Sequence, residues 1–187
     1  DVQPRLRGLR AIVAGSHGME CIGADGSPLW IPAEPVHPLP QVIAEDLRAN
    51  GFLVEQKRYS VAVHFRTADP RSDRGSLARF ARWAQQRALL LVKGRKVVEA
   101  RLSGRTKEHA LREIATRMCA DRVLYAGDDA TDFGALAFAA GRGRAIFIAS
   151  DELDPPDIEP LCVVRTIEDL CWFLMLEMVE RGGDAVI

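Results

Sequence analysis

The stretch that decides the fold is RVLYAGDDATDFGALAFAA, residues 122 to 140. Arg122 to Ala126 is a short apolar run bounded by a glycine, the pattern of a buried strand. Phe133 to Ala139 reads as a helix. Between them, Gly127-Asp128-Asp129-Ala130-Thr131-Asp132 places three carboxylates within five residues. Open α/β sheets place their ligands in this position, at the carboxyl end of a strand and the start of a helix. Clustered carboxylates repel one another unless a cation or a proton neutralises them. Hard oxygen donors of this kind suit Mg²⁺, which takes one or two carboxylates, waters and a substrate phosphate. The hexapeptide reads equally as a solvated acidic turn, because Asp and Thr are common helix caps. Taken alone, it leaves both readings open.

The flanking segments extend the same pattern. Thr106 to Met118 predicts a helix, with Ala110, Leu111, Ile114 and Met118 on its apolar side. Ala145 to Ala149 predicts a buried strand, Val163-Val164 a short one, and Ile167 to Val179 an apolar-rich closing helix. Strands alternating with helices predict a parallel, doubly wound α/β core. Lys107 opens the helix before the acidic strand. A lysine there can hold a phosphate dianion and the aspartate that attacks it. Most lysines, however, are solvated surface residues.

Residues 24 to 102 have a different character. Prolines at 28, 32, 35, 38 and 40 exclude regular helix over that stretch. A short helix follows over Gln41 to Asn50, stopped by Gly51. Leu53, Glu55 and Lys57 then alternate with Phe52, Val54 and Gln56. Beyond a turn at Arg58-Tyr59, Val61, Val63 and Phe65 alternate with Ser60, Ala62, His64 and Arg66, up to a stop at Asp69-Pro70. This period of two predicts a hairpin. A helix over Gly75 to Arg87, a strand over Leu89 to Val92, a turn at Lys93-Gly94-Arg95 and a strand over Lys96 to Leu102 complete the order α-β-β-α-β-β. The expected result is a small sheet with helices on one face and an open polar face on the other. Glu55, Lys57, His64, Arg66, Glu99 and Arg101 populate that polar face. They suit sugar hydroxyls, and they also suit a solvated surface with cross-strand ion pairs.

Upstream, Leu9 to Ala14 reads as a buried strand ending in the turn Gly15-Ser16-His17-Gly18. The glycines allow close backbone approach, while Ser16 and His17 offer donors. A plain glycine turn with a surface histidine is the alternative.

The composition excludes several classes of partner. With 25 Lys and Arg against 26 Asp and Glu, the chain has no charge excess for nucleic acid or an anionic membrane. No apolar run reaches the roughly 18 residues of a membrane span. Cys21, Cys119, Cys162 and Cys171 form no C-x-x-C pair or zinc spacing and are expected to be buried, reduced thiols of a cytoplasmic protein.

Four motifs, taken in order, are AGSHGME, VEQKRYSVAVHFR, GRKVVEARLSGRTKEHAL and YAGDDATDFGAL. Together they resemble trehalose-6-phosphate phosphatases of the haloacid dehalogenase (HAD) superfamily over residues 9 to 140. The resemblance implies a HAD-like Rossmannoid parallel-sheet core, residues 1–23 and 103–187, with an inserted α/β cap of the C2 type, residues 24–102. It implies Mg²⁺-assisted phosphoryl transfer through an aspartyl-phosphate, with trehalose 6-phosphate the leading small-molecule substrate. Lys107 then matches the phosphate-stabilising lysine. Asp128, Asp129 and Asp132 match the acidic metal loop, with Asp128 the direct ligand and a catalytic residue. Ser16, His17 and Gly18 match the turn near the sugar, and Glu55, Lys57 and Glu99 match the cap residues that grip glucosyl hydroxyls.

The chain departs from the family pattern at several points. It contains no D-x-D-x-T, the motif that supplies nucleophile and general acid, and that motif is expected upstream of Asp1. The family's second motif, a Ser/Thr at the end of the next strand, is missing too. Ser103-Gly104-Arg105 looks like its S-G-R form but falls after the cap. Trp30 to Glu55 is short for the first cap helix, and Phe133-Gly134 stands where further acidic residues are usual. Two other functions remain in view: a catalytically inactive, phosphatase-like module that binds a sugar phosphate or a partner, and a HAD phosphatase for another sugar phosphate. The oligomeric state is not written in the sequence.

Overall fold

The computed structural model describes residues 10–32, 34–66, 68–69, 74–94, 96–151 and 153–180. The chain separates into two compact units, residues 1–30 with 105–187 and residues 31–104. Among the described residues, no helix is long and apolar enough to cross a membrane.

The second unit has the α-β-β-α-β-β order read from the periodicity. Its elements are α1 (Gln41–Ala49), β4 (Leu53–Gln56), β5 (Ser60–His64), α2 (Arg74–Gln86), β6 (Leu90–Gly94) and β7 (Val97–Arg101). The strands form one antiparallel sheet in the order β4-β5-β7-β6. Side chains alternate across a strand, so one face carries Val61, Val63 and Ala100, all fully buried against Leu47, Phe80, Trp83 and Ala84. Each large side chain so buried contributes about 1.5–3 kcal/mol over exposure. The other face carries Glu55, Ser60, Ala62, His64, Glu99 and Arg101. Pro70 and Arg95, expected at turns here, lie outside the described residues.

The first unit contains α3 (Lys107–Arg117), β8 (Val123–Gly127), α4 (Phe133–Ala140), β9 (Gly143–Ile148), β10 (Cys162–Val164) and α5 (Ile167–Glu180). β8 pairs parallel with β9, to which α4 connects it, and β9 pairs parallel with β10. Leu136, Ala139, Ala145 and Phe147 fill its core, and Phe133 meets Phe147 edge-on at 6.1 Å between centroids. The expected acidic "further residue" at Gly134 is replaced for a packing reason. A Cβ there would stand 2.6 Å from Glu108 Oε2, so the glycine lets α4 approach α3.

The N-terminal region departs from expectation. Of the strand expected over Leu9 to Ala14, only β1 (Val13–Gly15) forms, and Leu9 lies outside the described residues. β1 is not in the parallel sheet. It pairs antiparallel with β2 (Glu20–Ile22), which pairs with β3 (Pro28–Trp30). The last of these falls inside the proline-rich stretch, whose prolines exclude helix but allow a short strand. Pro28 is tolerated because it begins its strand, where a missing N–H costs least. This small sheet keeps residues 24–30 with the first unit, moving the expected boundary from 23/24 to 30/31. Residues 103 and 104 fall in the second unit. Trp30 Nε1 donates to the Gly18 carbonyl at 3.1 Å, and the Arg105 guanidinium stacks 4.6 Å from its ring centroid.

The cysteines are not uniformly buried. Cys21 is, but Cys119 and Cys171 are exposed and Cys162 is intermediate. Two of the four sit on helix surfaces or ends where nothing covers them among the described residues.

Candidate active site

β8 delivers the acidic loop. Its last residue, Gly127, is buried, and a Cβ there would lie 2.5 Å from the Asp132 Cβ, so only glycine lets the loop fold back on the strand. Asp129 then caps a 3-10 turn over Ala130–Asp132. Its carboxylate accepts the Thr131 N–H at 3.0 Å, and Asp132 Oδ2 accepts the Asp129 N–H at 3.1 Å. This reciprocal arrangement is a capping box.

The three aspartates consequently part company. Asp132 is turned inward and is only 2% exposed. Its Oδ1 accepts from Lys107 Nζ at 2.8 Å and from the Tyr125 hydroxyl at 2.5 Å. Both of its oxygens are thus engaged by donors of the chain. Asp129 is exposed, with one oxygen given to the turn. Asp128 is exposed and, among the described residues, its carboxylate has no hydrogen-bond or ion-pair partner. In this arrangement Asp132 is committed to donors of the chain, whereas Asp128 and the outer oxygen of Asp129 are not. Among the described residues, no three acidic, histidine or cysteine side chains gather as a metal-binding group. The capping reading describes Asp129 and Asp132, and the ligand reading is left to Asp128 with the outer oxygen of Asp129. One or two carboxylates is the number that Mg²⁺ usually takes from a protein, so this donor set fits that ion.

Lys107 is positioned by a cap of its own. Thr106 is the N-cap of α3, and its hydroxyl accepts the His109 N–H at 3.3 Å. That makes Lys107 the first residue of the helix, half-buried, with its ammonium on Asp132. Charge-assisted bonds of this kind fix a long, flexible side chain in one direction.

The turn at residues 16–18 docks onto the same helix start. Ser16 and His17 both have positive φ, 51° and 58°, and Gly18 has φ 92°. A Cβ on Gly18 would stand 2.4 Å from the Thr106 carbonyl oxygen. A cavity of about 250 Å³ is lined by His17, Gly18, Lys107 and Tyr125 together with Ala14, Ala110, Leu111 and Ile114. Residues ninety positions apart in sequence therefore share one depression. Ser16 points elsewhere, giving its hydroxyl to Glu20 at 2.8 Å.

In the sequence Tyr125 reads as one more residue of an apolar strand. Its phenol pKa is raised, first by burial and then by its hydrogen bond to Asp132 and the negative charge of Asp132 and Asp128. The available signal was chemical: a tyrosine in a buried strand needs an acceptor for its hydroxyl.

In the second unit, the expected sugar-binding residues form one cluster. Lys57 Nζ lies 3.7 Å from Glu55 Oε2 and 3.5 Å from Glu99 Oε1. His64 Nε2 lies 3.1 Å from Glu55 Oε2, and Ser60 donates its hydroxyl to Glu99. The structure thus brings Glu55, Lys57 and Glu99 together on the polar face, and Lys107 together with His17, Gly18 and the acidic loop in the other unit.

Comparison with known proteins gives the same family as the motifs. The sequence model of the trehalose-phosphatase family matches residues 6–142. The trehalose-phosphate phosphatase of Mycobacterium marinum is 34% identical over 166 residues, covering 81% of this chain and 42% of that protein. The chain therefore spans about two fifths of the length of such relatives. Among solved structures, a trehalose-6-phosphate phosphatase related protein superposes with a TM-score of 0.66 at 20% identity, covering 92% of this chain and 75% of the other. A haloacid dehalogenase-like hydrolase from Bacteroides thetaiotaomicron superposes with a TM-score of 0.63 at 12% identity, over 94% of this chain and 81% of the other. These two likenesses show the HAD-like α/β fold. The match over residues 6–142 runs through the Gly18 turn, the polar face, Lys107 and the acidic loop alike, and the chain belongs to the trehalose-phosphatase family.

Proposed function

We propose that the protein is a Mg²⁺-dependent phosphatase for a sugar phosphate, with trehalose 6-phosphate the substrate that the family and the cap cluster favour. The observation that carries the reading is the division of labour around β8. Lys107 is tied down on Asp132, in the same short loop as an exposed Asp128 that has no partner among the described residues. A fixed cation next to an uncommitted carboxylate suits a phosphate dianion and the metal that accompanies it.

In this reading Asp128, with Asp129, holds Mg²⁺ when it is bound, and the ion supplies charge neutralisation for the phosphoryl group in the transition state. Lys107 binds a phosphate oxygen and keeps the attacking carboxylate aligned with phosphorus. Asp132 and Tyr125 hold the Lys107 ammonium in place. The attacking aspartate is not one of the acidic loop residues, which serve the ion and Lys107. Its carboxylate oxygen forms a bond to phosphorus as the sugar oxygen leaves, and water then cleaves the aspartyl-phosphate. His17 and Gly18 border the sugar, with Ser16 adjoining. Glu55 and Glu99 accept hydrogen bonds from glucosyl hydroxyls and Lys57 donates one.

The test is the full-length protein with Asp128→Ala against Asp151→Ala, an acidic neighbour outside the loop. Asp128→Ala should abolish most Mg²⁺-dependent release of phosphate, and Asp151→Ala should leave it near the parent. Near-normal turnover of Asp128→Ala at saturating Mg²⁺ would rule out this metal assignment. A full-length protein that binds the sugar phosphate without turning it over would identify an inactive binding module instead.

A further inference from the structure

We propose that Arg101 is a further substrate-binding residue, donating its guanidinium to neighbouring oxygens of the sugar. The proposal rests on the reading above, in which Glu55, Lys57 and Glu99 bind sugar hydroxyls, and it adds a specificity residue to that face.

The strand register gives the direction of the side chain. Ala100 is fully buried in the apolar core of the second unit, so Arg101, next along β7, lies on the opposite face. Glu99, two residues back, shares that face. Across the sheet, Arg101 stands opposite Ser60 on β5 and opposite Leu90 on β6. It therefore flanks the cluster formed by Glu55, Lys57, Ser60, His64 and Glu99.

The other charged members of that cluster have partners. Glu99 accepts from Ser60 and Lys57, and Glu55 accepts from Lys57 and His64. Arg101 differs. It is only 9% exposed, and its Nε is buried with no hydrogen-bond acceptor. Among the described residues, no carboxylate comes within ion-pairing distance of its guanidinium. Burying a guanidinium N–H without an acceptor is unfavourable, and folded proteins rarely leave such a donor empty. An acceptor supplied by a ligand removes the penalty and converts it into selectivity.

The chemistry narrows the ligand. A guanidinium is a planar fork of donors with no acceptor, matched to two adjacent oxygens. The cluster also balances its fixed charges, Glu55 and Glu99 against Lys57 and Arg101. A balanced set of donors and acceptors favours the uncharged, hydroxyl-rich end of a sugar phosphate.

The experiment uses the full-length protein with Arg101→Met, Arg101→Lys and Glu99→Ala. Each is assayed on trehalose 6-phosphate and on p-nitrophenyl phosphate, and its melting temperature is measured. Arg101→Met should lower the ratio of kcat/KM for the sugar phosphate over the generic ester by roughly 10- to 100-fold, the range for a lost charged hydrogen bond to ligand. Arg101→Lys should lose less, chiefly through KM. If Glu99→Ala lowers the ratio and Arg101→Met does not, Arg101 touches no sugar and this inference is overturned while the function stands. If neither variant moves the ratio, the assignment of the whole polar face to sugar fails. Equal losses on both substrates with early melting, in Arg101→Lys as well as Arg101→Met, would make Arg101 a structural residue and also overturn the inference.

Discussion

Lys107 Nζ stands 2.8 Å from Asp132 Oδ1, joining the first residue of α3 to the last residue of the 3-10 turn after β8. Asp132 is 3% exposed at its side chain and Lys107 30%, so the pair is sheltered on the acid's side and open on the lysine's. Truncating one partner of a buried ion pair leaves the other uncompensated, at a cost of about 3–5 kcal/mol when both are buried. Because Lys107 reaches solvent, Asp132→Ala should cost less, about 2–3 kcal/mol. Asp128→Asn, at an exposed carboxylate, should change stability by no more than about 0.5 kcal/mol. Urea unfolding of both variants checks the contrast. Equal stabilities would show that Asp132 does not anchor the loop.

Tyr125→Phe removes a hydroxyl donated to the same carboxylate and should cost about 1.5–3 kcal/mol at neutral pH. The penalty should depend on pH in one direction. Burial, followed by the hydrogen bond to Asp132, raises the folded-state pKa of Tyr125 above its ordinary value of 10.0. A raised pKa means that the folded state holds the proton more tightly. The associated stability is therefore complete below pH 10.0 and is lost as pH rises beyond it. Parent and variant should converge in stability above that pH. Curves that stay parallel through the alkaline range would contradict the buried phenol.

Gly18→Ala should be damaging in two ways. The residue has φ 92°, and an added Cβ would sit 2.4 Å from the Thr106 carbonyl. Strain and overpacking together should cost about 2–4 kcal/mol. Thr106 caps the helix that begins with Lys107, so any shift at residue 18 passes directly to the lysine. Loss of phosphatase activity in the full-length protein should accompany the loss of melting temperature. A variant as stable as the parent would mean that the turn does not pack on α3.

Glu99→Ala tests the cap cluster. Its carboxylate is the shared acceptor of Ser60 and Lys57. In the full-length protein the variant should sharply lower kcat/KM for trehalose 6-phosphate while largely sparing p-nitrophenyl phosphate, which has no sugar hydroxyls to bind. Parallel losses on both, or none on either, would make the face an ordinary solvated sheet surface.

Much of this was legible in the sequence wherever a pattern repeats over several residues. The alternation in Leu53 to Arg66 assigned both faces of the hairpin correctly, because a one-residue slip would have turned Val61 and Val63 out to water. The family motifs likewise singled out Lys107 and the acidic loop, which the structure joins through Asp132. β2 and β3 were not legible. Each is three residues long, too short for a period to show, and they exist as strands only because β2 pairs with β1 on one side and β3 on the other. Arg101 and Glu99 looked alike as charged residues on one face, and only the fold showed that one is partnered and the other is buried without an acceptor.

The sequence by itself determined which segments are strands and helices in the larger elements, which faces are apolar, and that three aspartates stand together after β8. Those properties follow from covalent order and side-chain chemistry, which act over a few residues. The tertiary structure alone decided which way each aspartate turns and what holds it. Asp128, Asp129 and Asp132 are the same residue type within one hexapeptide, but the 3-10 turn points Asp132 inward toward Lys107 and Tyr125 and leaves Asp128 facing out. An aspartate's role is set by the donors that surround its carboxylate, and here those donors come from α3, from β8 and from the turn's own backbone, whose arrangement in space the local sequence does not encode.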